Sequence, residues 1–148
     1  MIPRPFWSGR IEEAWRDAPI AWLSGVRRSG KTTLAKSFDP ERVLYLNCDL
    51  PTTADGLRDP QLFFRSCPKP IVVLDEIHQL RDPSTVLKIA ADEFPKLRLL
   101  ATGSSTLAAS RKFRDTLTGR KRMVHLLPVL WEELPAFAAT LERRVFHG

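Results

Sequence analysis

Gly25-Val26-Arg27-Arg28-Ser29-Gly30-Lys31-Thr32 sets two glycines five residues apart, with a lysine and a hydroxyl residue directly after the second. That order suits an anion carrying several phosphates. Glycines at both ends let the backbone curl closely enough for successive N–H groups to point at phosphate oxygens, and a helix starting there adds the positive end of its dipole. Lys31 would bridge the β- and γ-phosphates, and the Thr32 hydroxyl would ligate Mg²⁺. Gly25 through Thr33 is therefore the candidate nucleotide-binding set, the alternative being a strand-to-helix turn that binds nothing.

A second chemical feature is Ile71-Val72-Val73-Leu74-Asp75-Glu76, four apolar residues followed by two acids. At the C-terminal tip of a parallel strand both carboxylates reach the ligand crevice. Asp75 would hold the metal through water, and Glu76 would orient and deprotonate an attacking water. The plainer alternative is a polar turn at a strand end. A third feature, Ala101-Thr102-Gly103-Ser104-Ser105, offers three hydroxyls at another strand tip. Thr102, Ser104 and Ser105 compete to sense the γ-phosphate or the lytic water, and Ser104 or Ser105 could equally cap the helix that follows.

Between Arg111 and Arg122 stand Arg111, Lys112, Arg114, Arg120, Lys121 and Arg122 against the single acid Asp115. Arg120, just after Gly119, could act as a finger toward a neighbouring subunit's γ-phosphate. The same run could instead contact nucleic acid or form a solvated face. His78, two residues after the acid pair, reads as a structural hydrogen-bonding residue, and His125 as a buried strand residue.

The elements that must position these groups are short apolar runs alternating with helical stretches, the pattern of a parallel sheet covered on both faces. Strands are expected at 20–25, 43–47, 71–75, 97–102 and 123–127, enough for a complete P-loop core. Asp59-Pro60 and Asp82-Pro83 each pair an N-cap residue with a proline suited to the first helical position, and open helices near 60–66 and 83–94. Asp49–Pro70 reads as loops around one short helix. After Pro128, the residues Trp131, Leu134, Phe137, Ala138 and Leu141 form one apolar helical stripe suited to core or subunit contact.

Composition sets the outer limits. The chain has 148 residues, 43% of them hydrophobic, which makes one domain with a real core. Its formal charge of +6, from 23 Lys and Arg against 17 Asp and Glu, suits anionic ligands but is modest for a dedicated nucleic-acid binder. Cys48 and Cys67 lack metal-site spacing, and no segment resembles a cleavable signal, so a reduced cytoplasmic setting is expected. No apolar run approaches the roughly 20 residues of a membrane span.

Taken together, these motifs resemble a prokaryotic family of AAA-type ATPases in which the core precedes a C-terminal domain of unknown function. Ile2-Pro3-Arg4 is similar to the family's opening, and Gly25 to Leu34 to its glycine loop, with Val26 in place of proline. Tyr45 to Asp49, Leu74 to Ile77, Ala101 to Ser105, Gly119-Arg120 and Leu127 to Glu133 match further motifs in order, with Leu130 replacing the family's serine. The resemblance implies a P-loop NTPase fold, α/β, with a doubly wound five-stranded parallel sheet and the glycine-loop, hydroxyl and acid strands adjacent in that order. It implies ATP and Mg²⁺ as ligands and Arg120 acting across subunits; ATP rather than GTP follows from it, and no Asn-Lys-x-Asp guanine-reading motif is present. Residues 1–148 read as the ATP-binding core alone, with the helical lid and C-terminal domain of such ATPases expected to be absent.

The leading expectation is an ATP hydrolase working with a neighbouring copy or a partner protein. The alternatives are a non-hydrolysing nucleotide-binding module that binds a partner, a small-molecule kinase, and nucleic-acid binding through Arg111–Arg122.

Overall fold

The computed structural model describes residues 5–25 and 38–126. Helix α1 (Pro5–Asp17) leads into strand β1 (Ile20–Gly25), and the described chain resumes before β2 (Val43–Asn47). Two short helices follow, α2 (Pro51–Gly56) and α3 (Pro60–Arg65), and then β3 (Ile71–Asp75) with a 3₁₀ turn at Ile77–Gln79. The rest is α4 (Pro83–Glu93), β4 (Arg98–Thr102), α5 (Ser105–Ala109), α6 (Arg111–Leu117) and β5 (Lys121–Leu126).

All four strand pairings are parallel, in the order β2-β3-β4-β1-β5. The hydroxyl-bearing β4 thus lies between the glycine-loop strand β1 and the acid-bearing strand β3, as expected. Strand alternation divides the core. Ile20, Trp22, Val72, Leu74, Leu99 and Ala101 face α3, α4 and α6, whereas Ala21, Leu23, Val73 and Leu100 face α1. Because both faces are covered, the strands are apolar throughout rather than alternating. Each fully buried Leu or Ile here contributes about 1.5–3 kcal/mol of transfer free energy.

Local chemistry sets the helix ends. The Asp59 carboxylate accepts the Leu62 N–H at 3.2 Å and Asp82 accepts the Thr85 N–H at 3.3 Å, each followed by proline in the first turn, as expected. Ser104 and Ser110 cap α5 and α6 in the same way. Gly119 adopts φ 79°, a left-handed turn into β5 that a side chain would strain.

Several expectations need correction. Asp49–Pro70 holds two short helices rather than one, because Pro51 and Pro60 each start a helix and the chain leaves the first at Gly56–Leu57 before the second begins. Helix α1 was not among the expected elements, although Pro5 stands at its first position. Its stripe of Ile11, Ala14 and Trp15 packs under the sheet, Ala18 just past its end is also buried, and the Trp15 indole N–H donates to the Leu99 carbonyl at 2.7 Å. His125 is exposed rather than buried, since β5 pairs with β1 alone among the described residues and only Val124 of its central positions turns inward. The apolar stripe after Pro128 and the opening Ile2-Pro3-Arg4 lie outside the described residues.

Asp82 accepts from the Thr85 hydroxyl and N–H and from Ser84, and it pairs with Lys112, which together hold its carboxyl below the ordinary value of 3.8. A group lowered on folding stabilises the fold above its ordinary value and loses that contribution as pH falls through its folded value. Asp82→Ala is therefore expected to cost about 1 kcal/mol in urea unfolding at pH 7. The difference from wild type should shrink below pH 3.8; a deficit independent of pH would contradict the assignment.

Candidate nucleotide site at the strand tips

Parallel strands bring their C-terminal ends to one edge of a sheet, and here that edge carries Gly25, Asn47, Asp75 and Thr102. Gly25 is the last residue of β1 and the first of the glycine-loop motif. Val26, Arg27, Arg28, Ser29, Gly30, Lys31, Thr32 and Thr33 lie outside the described residues. The loop therefore leaves the sheet at the edge where the acid pair stands. This is the crevice position that open parallel sheets use for ligands.

Asp75 is 2% exposed, and neighbouring strands satisfy its carboxylate. The Thr102 hydroxyl on β4 donates to Oδ1, and the Tyr45 hydroxyl on β2 donates to Oδ2 at 2.5 Å. Burial, reinforced by the hydrogen bond and the charge of Asp75, pushes the Tyr45 phenol well above its usual value, so it remains a donor. Thr102 is also buried, and its oxygen accepts the Glu76 N–H at 3.0 Å. One hydroxyl thus ties Asp75 and the backbone of Glu76 to the next strand. Cys48 donates its N–H to the Asp75 carbonyl at 2.9 Å; burial first, then the charges of Asp75 and Glu76, pushes its thiol up to about 12. A thiol kept protonated is a poor nucleophile at neutral pH.

Glu76 sits at φ 59° and ψ 44°, the one non-glycine residue with positive φ among those described. Such a conformation costs roughly 1–2 kcal/mol outside glycine and persists where its surroundings enforce it. The Thr102 bond to its N–H and the 3₁₀ turn behind it supply that enforcement. Its side chain is 43% exposed, with Oε2 3.3 Å from His78 Nε2. Asp75 and Glu76 therefore differ sharply: one carboxylate is buried and clamped, the other open to solvent.

Among the three competing hydroxyls, Thr102 is turned onto Asp75, and Ser104 Oγ accepts the Leu107 N–H at 3.1 Å as the cap of α5. Among the described residues no acceptor takes the Ser104 hydroxyl proton. Nothing is described of the Ser105 side chain.

Arg120 lies at the other edge of the sheet. Its carbonyl accepts the Ile20 N–H at 3.2 Å, at the start of β1, roughly a strand length of 17–20 Å from the tips. Its guanidinium grips Asp92 of α4 through two bonds of 2.8 and 3.0 Å, and donates to the Thr116 carbonyl at 2.8 Å. Those bonds to Asp92 lower the Asp92 carboxyl and raise the guanidinium. Three more members of the basic run face acids: Arg111 meets Asp115, Lys112 meets Asp82, and Arg122 meets Asp17. Two of those acids come from distant elements, so the run is far less electropositive than its sequence suggests.

No trio of His, Cys, Asp or Glu among the described residues is grouped to hold a metal alone. The donor set does fit magnesium brought with a nucleotide, which takes one or two protein oxygens plus phosphates and water. Each Asp75 oxygen has one hydroxyl donor and keeps a further lone pair for a water of that ion.

An AAA domain family model matches residues 17–135, which is most of the chain. The chain belongs to that family. As an AAA domain with this five-stranded sheet it has the P-loop ATPase core fold, and membership implies nucleotide binding. Uncharacterized proteins of Mycobacterium bovis and Mycobacterium tuberculosis are each 27% identical over 149 residues, covering 94% of this chain and 32% of theirs. The chain thus spans about a third of the length of those curated relatives.

Among solved structures, the ORC1 protein of Aeropyrum pernix in complex with DNA superposes at TM-score 0.65 with 16% identity, covering 99% of this chain and 50% of that one. AMPPCP-bound DnaA of Aquifex aeolicus superposes at 0.55 with 11% identity, covering 94% of this chain and 49% of the other. At these identities the likeness is one of fold.

If Thr102 ties the site together, Thr102→Val should cost roughly 2–3 kcal/mol in urea unfolding, because it strands a buried carboxylate oxygen and the Glu76 N–H. Tyr45→Phe, which removes one donor from a partly exposed pair, should cost about 1 kcal/mol. Equal losses would contradict the ranking.

Proposed function

We propose that this AAA domain binds MgATP and hydrolyses it, with water activated by Glu76 and the site completed by Arg120 of a neighbouring copy. The observation that carries this reading is the contrast at the strand tips: a buried, clamped Asp75 beside an open Glu76 held in a left-handed turn. A cap on a plain polar turn has no use for either cost.

Bound MgATP supplies the γ-phosphoryl group that passes to water. Within the chain, Gly25 to Thr33 would wrap the phosphates, Lys31 would neutralise their charge, and Thr32 with Asp75 would hold the metal. Asp75, fixed by two hydroxyls, keeps one orientation without help from the ligand, which favours preorganised electrostatics. Glu76 accepts a proton from the attacking water as the new P–O bond forms and the bond to the leaving ADP oxygen breaks. The Ser104 hydroxyl, at the head of α5, serves as the γ-phosphate sensor.

Arg120 stands at the wrong edge to serve its own chain, so a role for it requires an assembly in which that edge meets another copy's tips. Such an assembly must also draw it from Asp92. Nucleic-acid contact, which the DNA-bound ORC1 likeness raises, is the weaker reading, because four of the six basic residues from Arg111 to Arg122 face acids. The free thiols of Cys48 and Cys67 suit a reducing cytoplasm, and no described helix is long and apolar enough to cross a membrane.

Lys31→Ala should abolish MgATP binding in titration calorimetry, whereas Glu76→Gln should bind as wild type does; unchanged affinity in Lys31→Ala would sink the phosphate-loop assignment. For Arg120, each of Arg120→Ala and Glu76→Gln should be inactive alone, and mixing them should restore turnover. An assembled mixture that stays silent would remove Arg120 from the mechanism.

A further inference from the structure

His78 lies between two parts of the site that the chain brings together from separate strands. Ser104, after β4, donates its N–H to Nδ1 at 3.0 Å, and Glu76, after β3, places Oε2 3.3 Å from Nε2. A backbone N–H can only donate, so Nδ1 is the acceptor and the proton of the neutral ring is on Nε2. Glu76 Oε2, at 3.3 Å, is within reach of that proton. The Gln79 amide nitrogen is also 3.3 Å from Nε2, and this tautomer requires the amide to turn its oxygen to the ring, as a second acceptor beside Glu76.

A Cβ on Gly103 would come within 2.8 Å of Trp22 Cη2 and 3.2 Å of Ile77 Cγ2, so glycine lets the chain before Ser104 pass Trp22; the same Cβ would stand at ordinary contact distance, 3.5 Å, from His78 Nδ1. The His78 side chain is 26% exposed against 43% for Glu76. A partly buried imidazole thus stands beside a more exposed carboxylate. Its other nitrogen reports the position of the residue that caps α5.

We propose that His78 is a positioning residue for Glu76, orienting its carboxylate for water and coupling that orientation to the Ser104 end of β4. A displacement of Ser104 toward a γ-phosphate would pull on Nδ1 and turn the Nε2–H that holds Glu76. Nucleotide state at one strand tip would then set the readiness of the base at the next. The inference rests on the reading that Glu76 activates water.

Two substitutions separate positioning from loop support. The Gln amide can place a donor where Nε2 stands, and Asn can place an acceptor where Nδ1 stands. His78→Gln should therefore keep kcat near the wild-type value. His78→Asn should lower kcat roughly ten- to a hundredfold, with KM and affinity for a non-hydrolysable ATP analogue unchanged. The reverse order, or wild-type kcat in both, would overturn the proposal.

A ¹⁵N NMR measurement of the ring needs no turnover. It should show the Nε2–H tautomer, with ring signals that move in Glu76→Ala. A ring on the other tautomer, or unmoved by Glu76→Ala, would overturn the link whether or not ATP is cleaved. A ring coupled to Glu76 in a chain with no hydrolysis would support the link and overturn the hydrolytic reading instead.

Discussion

The site depends on a buried carboxylate that must find its hydrogen-bond donors in other strands. Asp75 has almost no contact with water, and a desolvated carboxylate is tolerated only where donors replace the lost solvent. Thr102 from β4 and Tyr45 from β2 provide them, so the acid links three consecutive strands of the sheet at their tips. Register and site are therefore one constraint. A slip of β4 by one residue would turn Thr102 to the opposite face and orphan the acid.

The same hydroxyl controls what happens one residue later. Because Thr102 donates to Asp75, its lone pair is left for the Glu76 N–H, and the chain turns into the left-handed region instead of continuing the strand. That turn ends β3 and starts the 3₁₀ segment, which carries His78 back beneath Ser104. The division of labour between the two acids follows. Asp75 is buried and clamped and Glu76 is open to solvent, the contrast on which their proposed roles in metal hydration and proton transfer rest.

Much of the frame was legible in the sequence because buried parallel strands must be apolar on both faces. Runs such as Ile71–Leu74 declare themselves without any knowledge of their neighbours, and β1, β2 and β3 fall at the expected residues. The Asp-Pro pairs at 59–60 and 82–83 were equally readable, since cap and proline act within one turn. The amphipathic stripe of α1 was present but lacked a cap, and Gly9 interrupted it. The partners of Asp75 were not legible, because the sequence does not state the register that sets Tyr45 and Thr102 beside it. Nor were Asp17, Asp82 and Asp92, whose charges offset a basic run that looks isolated along the chain.

The most direct test is phosphate release from MgATP by the purified chain over a series of protein concentrations, with Glu76→Gln alongside. Turnover that rises more than in proportion to protein and vanishes in Glu76→Gln is expected if Glu76 activates water at a site completed by a neighbour. Hydrolysis by Glu76→Gln at the wild-type rate, or ATP bound but never cleaved by the wild-type chain, would contradict it.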